Sequence, residues 1–361
     1  MRPFIAACLA ALGLTLPQAP AYRILVASES GDIVSQLRWD GTSLTTVKVV
    51  PVGIMPADID GPHNVTVSPD GRFWYVTIAH GTPYGTLWKL TAHGDTVVGK
   101  APLEMFPTTI GLTPDGDLAF VANSDFHGDH PRVNVVTIVH TPTMSALTNL
   151  PACDMPHGVK VNHAGTLVYV SCMNSDEILE IDRQSFRTLR RHKTGEGSPQ
   201  AMAGMHGGPA ATAGTPHDCS PTFVSVSPDE RRLYVACNHG NTLQVLDAAT
   251  LELVKEIPVG AGAYNVEPSA DGRWVIVTNK KARSVSLVDA RTLTEAARIA
   301  TSKQLPHGVV YSPDGRWAFI SVESIGTDPG AVDVIDLTAR ARVASVAVPL
   351  QPTGITILRE P

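Results

Sequence analysis

The sequence predicts an all-β fold, a seven-bladed β-propeller with four strands per blade, and three observations carry that expectation. A strand–turn–strand unit at 61–80, GPHNVTVSPDGRFWYVTIAH, recurs in register at Pro107, Pro156, Pro221, Ala263, Pro306 and Pro352, which makes seven copies counting Pro62. The copies are spaced in the forties, apart from one interval of 65 residues, and strand-like repeats of that period mark propeller blades. Residues 22–53 read as the second, third and fourth strands of a blade, while the copy at Pro352 reads as a lone first strand. The two ends therefore complete one blade and close the ring, which removes exposed sheet edges.

Taken in chain order, residues 1–21 read as a secretory signal peptide: Arg2, an apolar run from Phe4 to Leu16, and a small-residue end at Ala19-Pro20-Ala21. No other stretch has transmembrane length, so the expectation is a soluble, exported chain without an anchor, periplasmic or secreted. The propeller then occupies 22–361 as one domain. Within each repeat, alternating residues such as Val65 and Val67 form strand a. Ser68-Pro69-Asp70-Gly71 supplies the turn, because proline suits its second position and glycine its last. The aromatic and β-branched run Phe73 to Ile78 returns as strand b. Strands c and d follow, as in TLQVLDAAT and LELVKEIPVG. The long interval holds an insertion, about 192–219, rich in Gly, Ala and Pro.

Composition excludes some partners. The chain has 28 basic against 34 acidic residues, a net charge of −6, and no basic run, so nucleic acid is not expected. With 17% charged residues, 30 glycines and 28 prolines it suits one large all-β domain with many turns.

The alternation of strands sorts loops onto two faces. The d-to-a connections and b-to-c loops share a top face; the a-to-b and c-to-d turns share a bottom face. Most of the thirteen histidines fall at or beside the top face, which marks it as the side carrying chemistry. Strand a is the innermost strand, so the residue after the opening proline sits at the hub: His63, Thr108, His157, Thr222, Tyr264, His307 and Thr353. The histidines occupy blades one, three and six, close to a triangle on a seven-fold ring. Three imidazoles converging on an axis suit zinc or copper with an open position, so His63, His157 and His307 are expected as metal ligands, copper preferred over zinc. The competing reading is that each histidine only bonds a neighbouring carbonyl. His80, His217, His239, Asp125 and Tyr264 stand nearby as further ligands or supporting groups. The insertion adds the soft donors Met202 and Met205 with His206, or is simply a loop.

Cys153 and Cys219 precede strands a of blades three and four, and Cys172 and Cys237 end strands b of the same blades. Hairpin geometry pairs Cys153 with Cys172 and Cys219 with Cys237 in an exported protein; Cys172 with Cys237, or thiolate ligation of a metal, are the alternatives. The sequence has no CxxCH, so covalent c-type haem is not expected.

The strand b motifs WYVTIA, FVANS, YVSCM, YVACN and VIVTN with SPDG turns resemble the YVTN family of bacterial propellers over nearly the whole of residues 22–361. The histidine-lined hub is similar to the copper-bearing propeller of nitrous-oxide reductase and to haem d1 propellers, while six-phosphogluconolactonase is similar in having Pro-His before such strands. This chain departs from the first two in having three hub histidines and no cupredoxin or cytochrome segment. Three function classes follow. One is an exported metalloprotein, copper preferred, doing redox chemistry on a small molecule or carrying metal, with an electron-transfer or envelope protein as partner. The second is a lactonase-like hydrolase using top-face His, Asp and Glu residues, its catalytic residues not identified by any nucleophile-elbow motif. The third is a binding propeller without chemistry.

Overall fold

A computed structural model describes residues 21–53, 60–80, 85–124, 133–195 and 218–358. Those residues form twenty-eight strands in seven four-stranded antiparallel sheets, which is the predicted seven-bladed propeller. Strand order within each sheet follows the chain except at the seam, where Pro352–Leu358 lies beside Tyr22–Ser28, followed by Ile33–Trp39 and Leu44–Pro51. The seam register runs from Arg23 opposite Leu358 to Ser28 opposite Pro352, as the missing strand at one terminus and the lone strand at the other require.

Burial explains the composition of each strand. Strands b, such as Trp274–Asn279 and Trp317–Val322, are buried on both faces because neighbouring blades cover them, and they are accordingly almost continuous runs of apolar residues. Strands d, such as Leu253–Pro258, form the rim and alternate poorly, with mostly exposed residues. Between blades six and seven Trp39 packs edge-on against Trp317 and Phe319, with ring centroids 5.2 and 6.4 Å apart. Between blades seven and one Asp95 gathers Gln36 Nε2 at 2.8 Å, Trp74 Nε1 at 3.0 Å and Lys48 Nζ at 2.6 Å.

The bottom-face turns close as their residues dictate. In the first, Gly71 N–H donates to the Ser68 carbonyl at 2.8 Å with glycine at φ 70°, and the Ser68 hydroxyl donates to Asp70 at 2.6 Å. That hydroxyl is the main cause holding the Asp70 carboxyl down at about 2. Both predicted hairpin disulfides are present, Cys153–Cys172 and Cys219–Cys237, with Cα atoms 5.8 and 4.4 Å apart. The cross-blade and thiolate alternatives therefore fall away. The insertion begins later than its expected boundary, since His192 and Lys193 still belong to strand d of blade three, Arg187–Lys193, which needs them to pair with Glu177 and Ile178. Residues 1–20 of the expected signal peptide, and Met202, Met205, His206, His217 and Asp125, lie outside the described residues. No helix among the described residues is long and apolar enough to cross a membrane.

Candidate functional site

Each blade makes the same joint at the top of the channel. The residue just before strand a adopts a left-handed backbone in all seven blades: Gly61, Phe106, Met155, Ser220, Gly262, Leu305 and Gln351. Its carbonyl accepts the N–H of the residue that follows strand b in the same blade, at 2.8 to 3.1 Å. Those following residues are Ala79, Ser124, Met173, Asn238, Lys280, Glu323 and Glu29 in blades one to seven. The left-handed turn costs most residues about 1 to 2 kcal/mol, and the paired backbone groups offset it. The joint thus fixes two side chains per blade, the hub residue on strand a and the residue after strand b.

The hub residues are not an open mouth. All seven are buried, none more than 2% exposed. The three threonines spend their hydroxyls on backbone carbonyls of the next blade. Thr108 Oγ1 donates to the His157 carbonyl at 2.9 Å, Thr353 Oγ1 to the His63 carbonyl at 2.7 Å, and Thr222 Oγ1 to the Tyr264 carbonyl. Where the hub residue is aromatic, strand b supplies the missing hydroxyl. Thr77 bonds the Thr108 carbonyl at 3.3 Å, Ser171 that of Thr222 at 2.8 Å, Thr278 that of His307 at 2.9 Å, and Ser321 that of Thr353 at 2.5 Å. Every hub carbonyl therefore receives a hydroxyl from the preceding blade. In the three threonine blades the strand b position holds Ala122, Ala236 and Ala27. This division of labour leaves His63, His157, Tyr264 and His307 to project into the axis.

There the rings meet. His63 lies 6.1 Å from His157 and 5.5 Å from His307 between ring centroids, and Tyr264 lies 5.5 Å from His157 and 4.6 Å from His307. The predicted triangle of histidines is thus brought together, and Tyr264 with it. Of the supporting groups, His80 joins the cluster, whereas His239 is exposed at the surface.

Three residues of the following-strand-b set complete the cluster, and sequence reading missed all of them. Glu29 is buried and accepts from His63 Nδ1 at 2.7 Å and from His80 Nε2 at 3.0 Å. The two imidazoles and the carboxylate form a chain from the buried hub to His80, whose side chain is 27% exposed. Phe106 packs on both rings, with centroids 5.4 and 5.0 Å away. Lys280 and Glu323 are buried as an ion pair at 2.7 Å, with the Lys280 ammonium 3.9 Å above the Tyr264 ring and Glu323 3.7 Å from His307 Nε2. Burial pushes the Glu323 carboxyl up despite the opposing Lys280 charge. Burial, with the charges of Glu323 and Glu29, holds the Tyr264 phenol well above its ordinary value, so Tyr264 is a donor. Its hydroxyl meets His157 Nε2 at 3.1 Å, while His157 Nδ1 donates to the Thr222 carbonyl at 3.0 Å. A carbonyl only accepts, which places the His157 proton on Nδ1 and the lone pair of Nε2 toward Tyr264.

That commitment bears on the expected metal. His157 uses both ring nitrogens, a buried ammonium stands beside the rings, and among the described residues no group of three or more His, Cys, Asp or Glu is set to hold a metal ion. The His63 ring suits ligation better: Glu29 holds its Nδ1, and its Nε2 has no hydrogen-bond partner among the described residues. As arranged, the donors form a proton route from His63 through Glu29 to His80, and a metal shared by the three histidines would require His157 to release Tyr264.

Comparison with known proteins follows the same lines. The Cytochrome D1 heme domain family matches residues 215–307, a stretch that carries Thr222, Tyr264, Lys280 and His307. A dihydro-heme d1 dehydrogenase of Pseudomonas aeruginosa is 38% identical over 68 residues, a stretch spanning 19% of this chain and only 14% of that protein's length. Among solved structures, the periplasmic gluconolactonase of Pseudomonas aeruginosa superposes with a TM-score of 0.74 at 17% identity, covering 95% of this chain and 100% of that one. A dihydro-heme d1 dehydrogenase in complex with DHE gives 0.61 at 18%, covering 95% and 78%. The hydrazine synthase of Kuenenia stuttgartiensis gives 0.65 at 18%, covering 85% and 99%. The likeness to haem d1-type propellers read from the sequence is thus shown, and the structural neighbours share the propeller fold.

Proposed function

We propose that the hub is an acid–base centre acting on a small oxygenated molecule admitted from the top face, with lactone hydrolysis as the reaction it suits best. One observation carries this reading: Glu29 orients His63 through Nδ1 and links it to the partly exposed His80, leaving His63 Nε2 directed among the hub rings. A histidine held by a buried carboxylate is a general base with a fixed tautomer. Water loses a proton to His63 Nε2 as its oxygen bonds the lactone carbonyl carbon. The Lys280 ammonium offsets the charge gathering on the carbonyl oxygen. The ring C–O bond then breaks, and the proton passes to the leaving oxygen, giving a hydroxy acid. Glu29 and His80 give the base a route for exchanging its proton with solvent. Because the hub is buried, the top face must open for substrate to enter.

A second reading rests on the family match: a tetrapyrrole bound across the top face, with the partly exposed His80 as the residue that would hold its iron. Such a group would supply redox chemistry, and Phe106 beside His80 would pack against it. Copper, or zinc, on His63, His157 and His307 ranks below both, because His157 would have to release Tyr264. Export to the periplasm is the setting we propose, consistent with two disulfides in a chain of this size.

The test is turnover of five- and six-membered lactones by the full chain, measured against Glu29→Gln and His63→Ala. The expected outcome is lactonase activity that drops by about 10² to 10⁴ in both variants. Absence of turnover in wild type sinks the hydrolase reading. A haem-like absorption band in protein from its native compartment, lost in His80→Ala, would put the second reading in its place. Elemental analysis showing copper or zinc that disappears in His157→Ala would instead establish the metal.

A further inference from the structure

Below the hub the inner strands line a cavity of about 690 Å³ that reaches the bottom-face turns at Pro228, Ala270 and Pro313. The Phe223 ring, 5.0 Å from His157 between centroids, stands between this space and the acid–base cluster. We propose that the cavity is a second ligand site, for a small neutral polyhydroxylated molecule of mono- or disaccharide size.

Charge selects the class. Lys160 from blade three bonds both carboxylate oxygens of Glu267 from blade five, at 2.7 and 2.9 Å, and Ser225 of the intervening blade donates to the same carboxylate at 3.0 Å. The two charges that line the cavity cancel, so neither an anion nor a cation gains from entering it. The remaining polar lining mixes donors and acceptors, among them the amides of Asn64 and Asn265, the hydroxyls of Thr66, Ser312 and Thr356, and the His163 ring. Thr66 is part-exposed where it lines the same space and offers a hydroxyl to a ligand there. Phe223 gives the apolar platform on which a sugar ring packs its C–H face, beside polar groups that orient it. The volume lies within the range of small-molecule sites.

The site is independent of the hub, so it is tested with hub chemistry as a control. Calorimetric titration of the full chain with D-glucose and with maltose should detect binding of at least one. Thr66→Val, which removes only the hydroxyl, and Asn265→Ser should each weaken that binding about tenfold while the unliganded melting temperature holds. Glu29→Gln at the hub should leave it within about twofold. No heat of binding from either sugar overturns the proposal, as does binding that survives both channel variants or that is lost in Glu29→Gln.

Discussion

Blades three and four lock the joint at the top of the channel differently from blades five, six and seven. In the first pair a disulfide ties the approach to strand a to the end of strand b, and the residues after strand b are Met173 and Asn238. In the second group no cysteine is present, and those residues are Lys280, Glu323 and Glu29, an arc of buried charge. One arc is held by covalent bonds and has no charged residue after strand b; the other places the Lys280–Glu323 ion pair and Glu29 at that position. A joint that must present charged side chains cannot rely on apolar packing there, and a joint that is stapled has no need of them.

The sharpest break comes at blade seven, whose strand a is the C-terminal Pro352–Leu358. Ending the chain after Leu350 removes that half of the joint, together with the Gln351 carbonyl that fixes Glu29. We expect loss of the cooperative unfolding transition in calorimetry; an unchanged transition would show that the ring does not depend on closure. Next in size is Lys280→Met, which strands the buried Glu323 carboxylate. Breaking a buried pair this way costs about 3 to 5 kcal/mol, read by urea unfolding, and a cost near zero would mean that Glu323 is not held by Lys280.

The stapled arc should respond less. Cys219→Ser with Cys237→Ser opens a loop of sequence separation 18, for which chain entropy gives about 3 kcal/mol. This double change should leave lactone turnover, if present, unaltered per folded molecule, since it touches no charged joint. Equal loss of activity in the disulfide and Lys280 variants would erase the distinction between the arcs.

The smallest effect is the pH dependence that Glu323 gives the ionic arc. The Glu323 carboxyl is raised in the folded state from an ordinary 4.5, so the folded protein holds that proton to higher pH than the unfolded chain. Its contribution is complete below the unfolded value and is lost as pH rises through the raised one. Glu323→Gln should flatten stability across that rise, measured by unfolding from about pH 4 to about pH 8. Asp70 at the bottom-face turn behaves oppositely: its carboxyl is lowered from 3.8 to about 2, so its contribution is present above 3.8 and disappears only as pH falls through the lower value.

The fold was legible because blade geometry repeats: Pro62 through Pro352 mark strand a, and SPDG-like segments mark the turns. The hub histidines and Tyr264 were legible for the same reason, since register after the opening proline places them. Glu29, Lys280 and Glu323 share a register too, but their counterparts are Ala79, Ser124, Met173 and Asn238, so nothing in residue type draws attention to the position. Their importance arises from ion pairs between blades, which no single repeat displays. The fate of the hub threonines was likewise hidden, although the signal was there in strand b. Ala27, Ala122 and Ala236 accompany threonine hubs, and Thr77, Ser171, Thr278 and Ser321 accompany aromatic ones. That pairing becomes readable only once the hydroxyl is seen to cross to the next blade.

The ring of hydroxyls also dictates the order in which such a hub can diversify. Changing Thr108 to histidine on its own would strip the His157 carbonyl of its cross-blade donor, a buried loss of about 1 to 3 kcal/mol. Changing Ala122 to serine first places a spare hydroxyl within the same blade, after which the threonine is free to become an aromatic ring. In this ring a new axial side chain is therefore least costly when the change on strand b precedes the one at the hub.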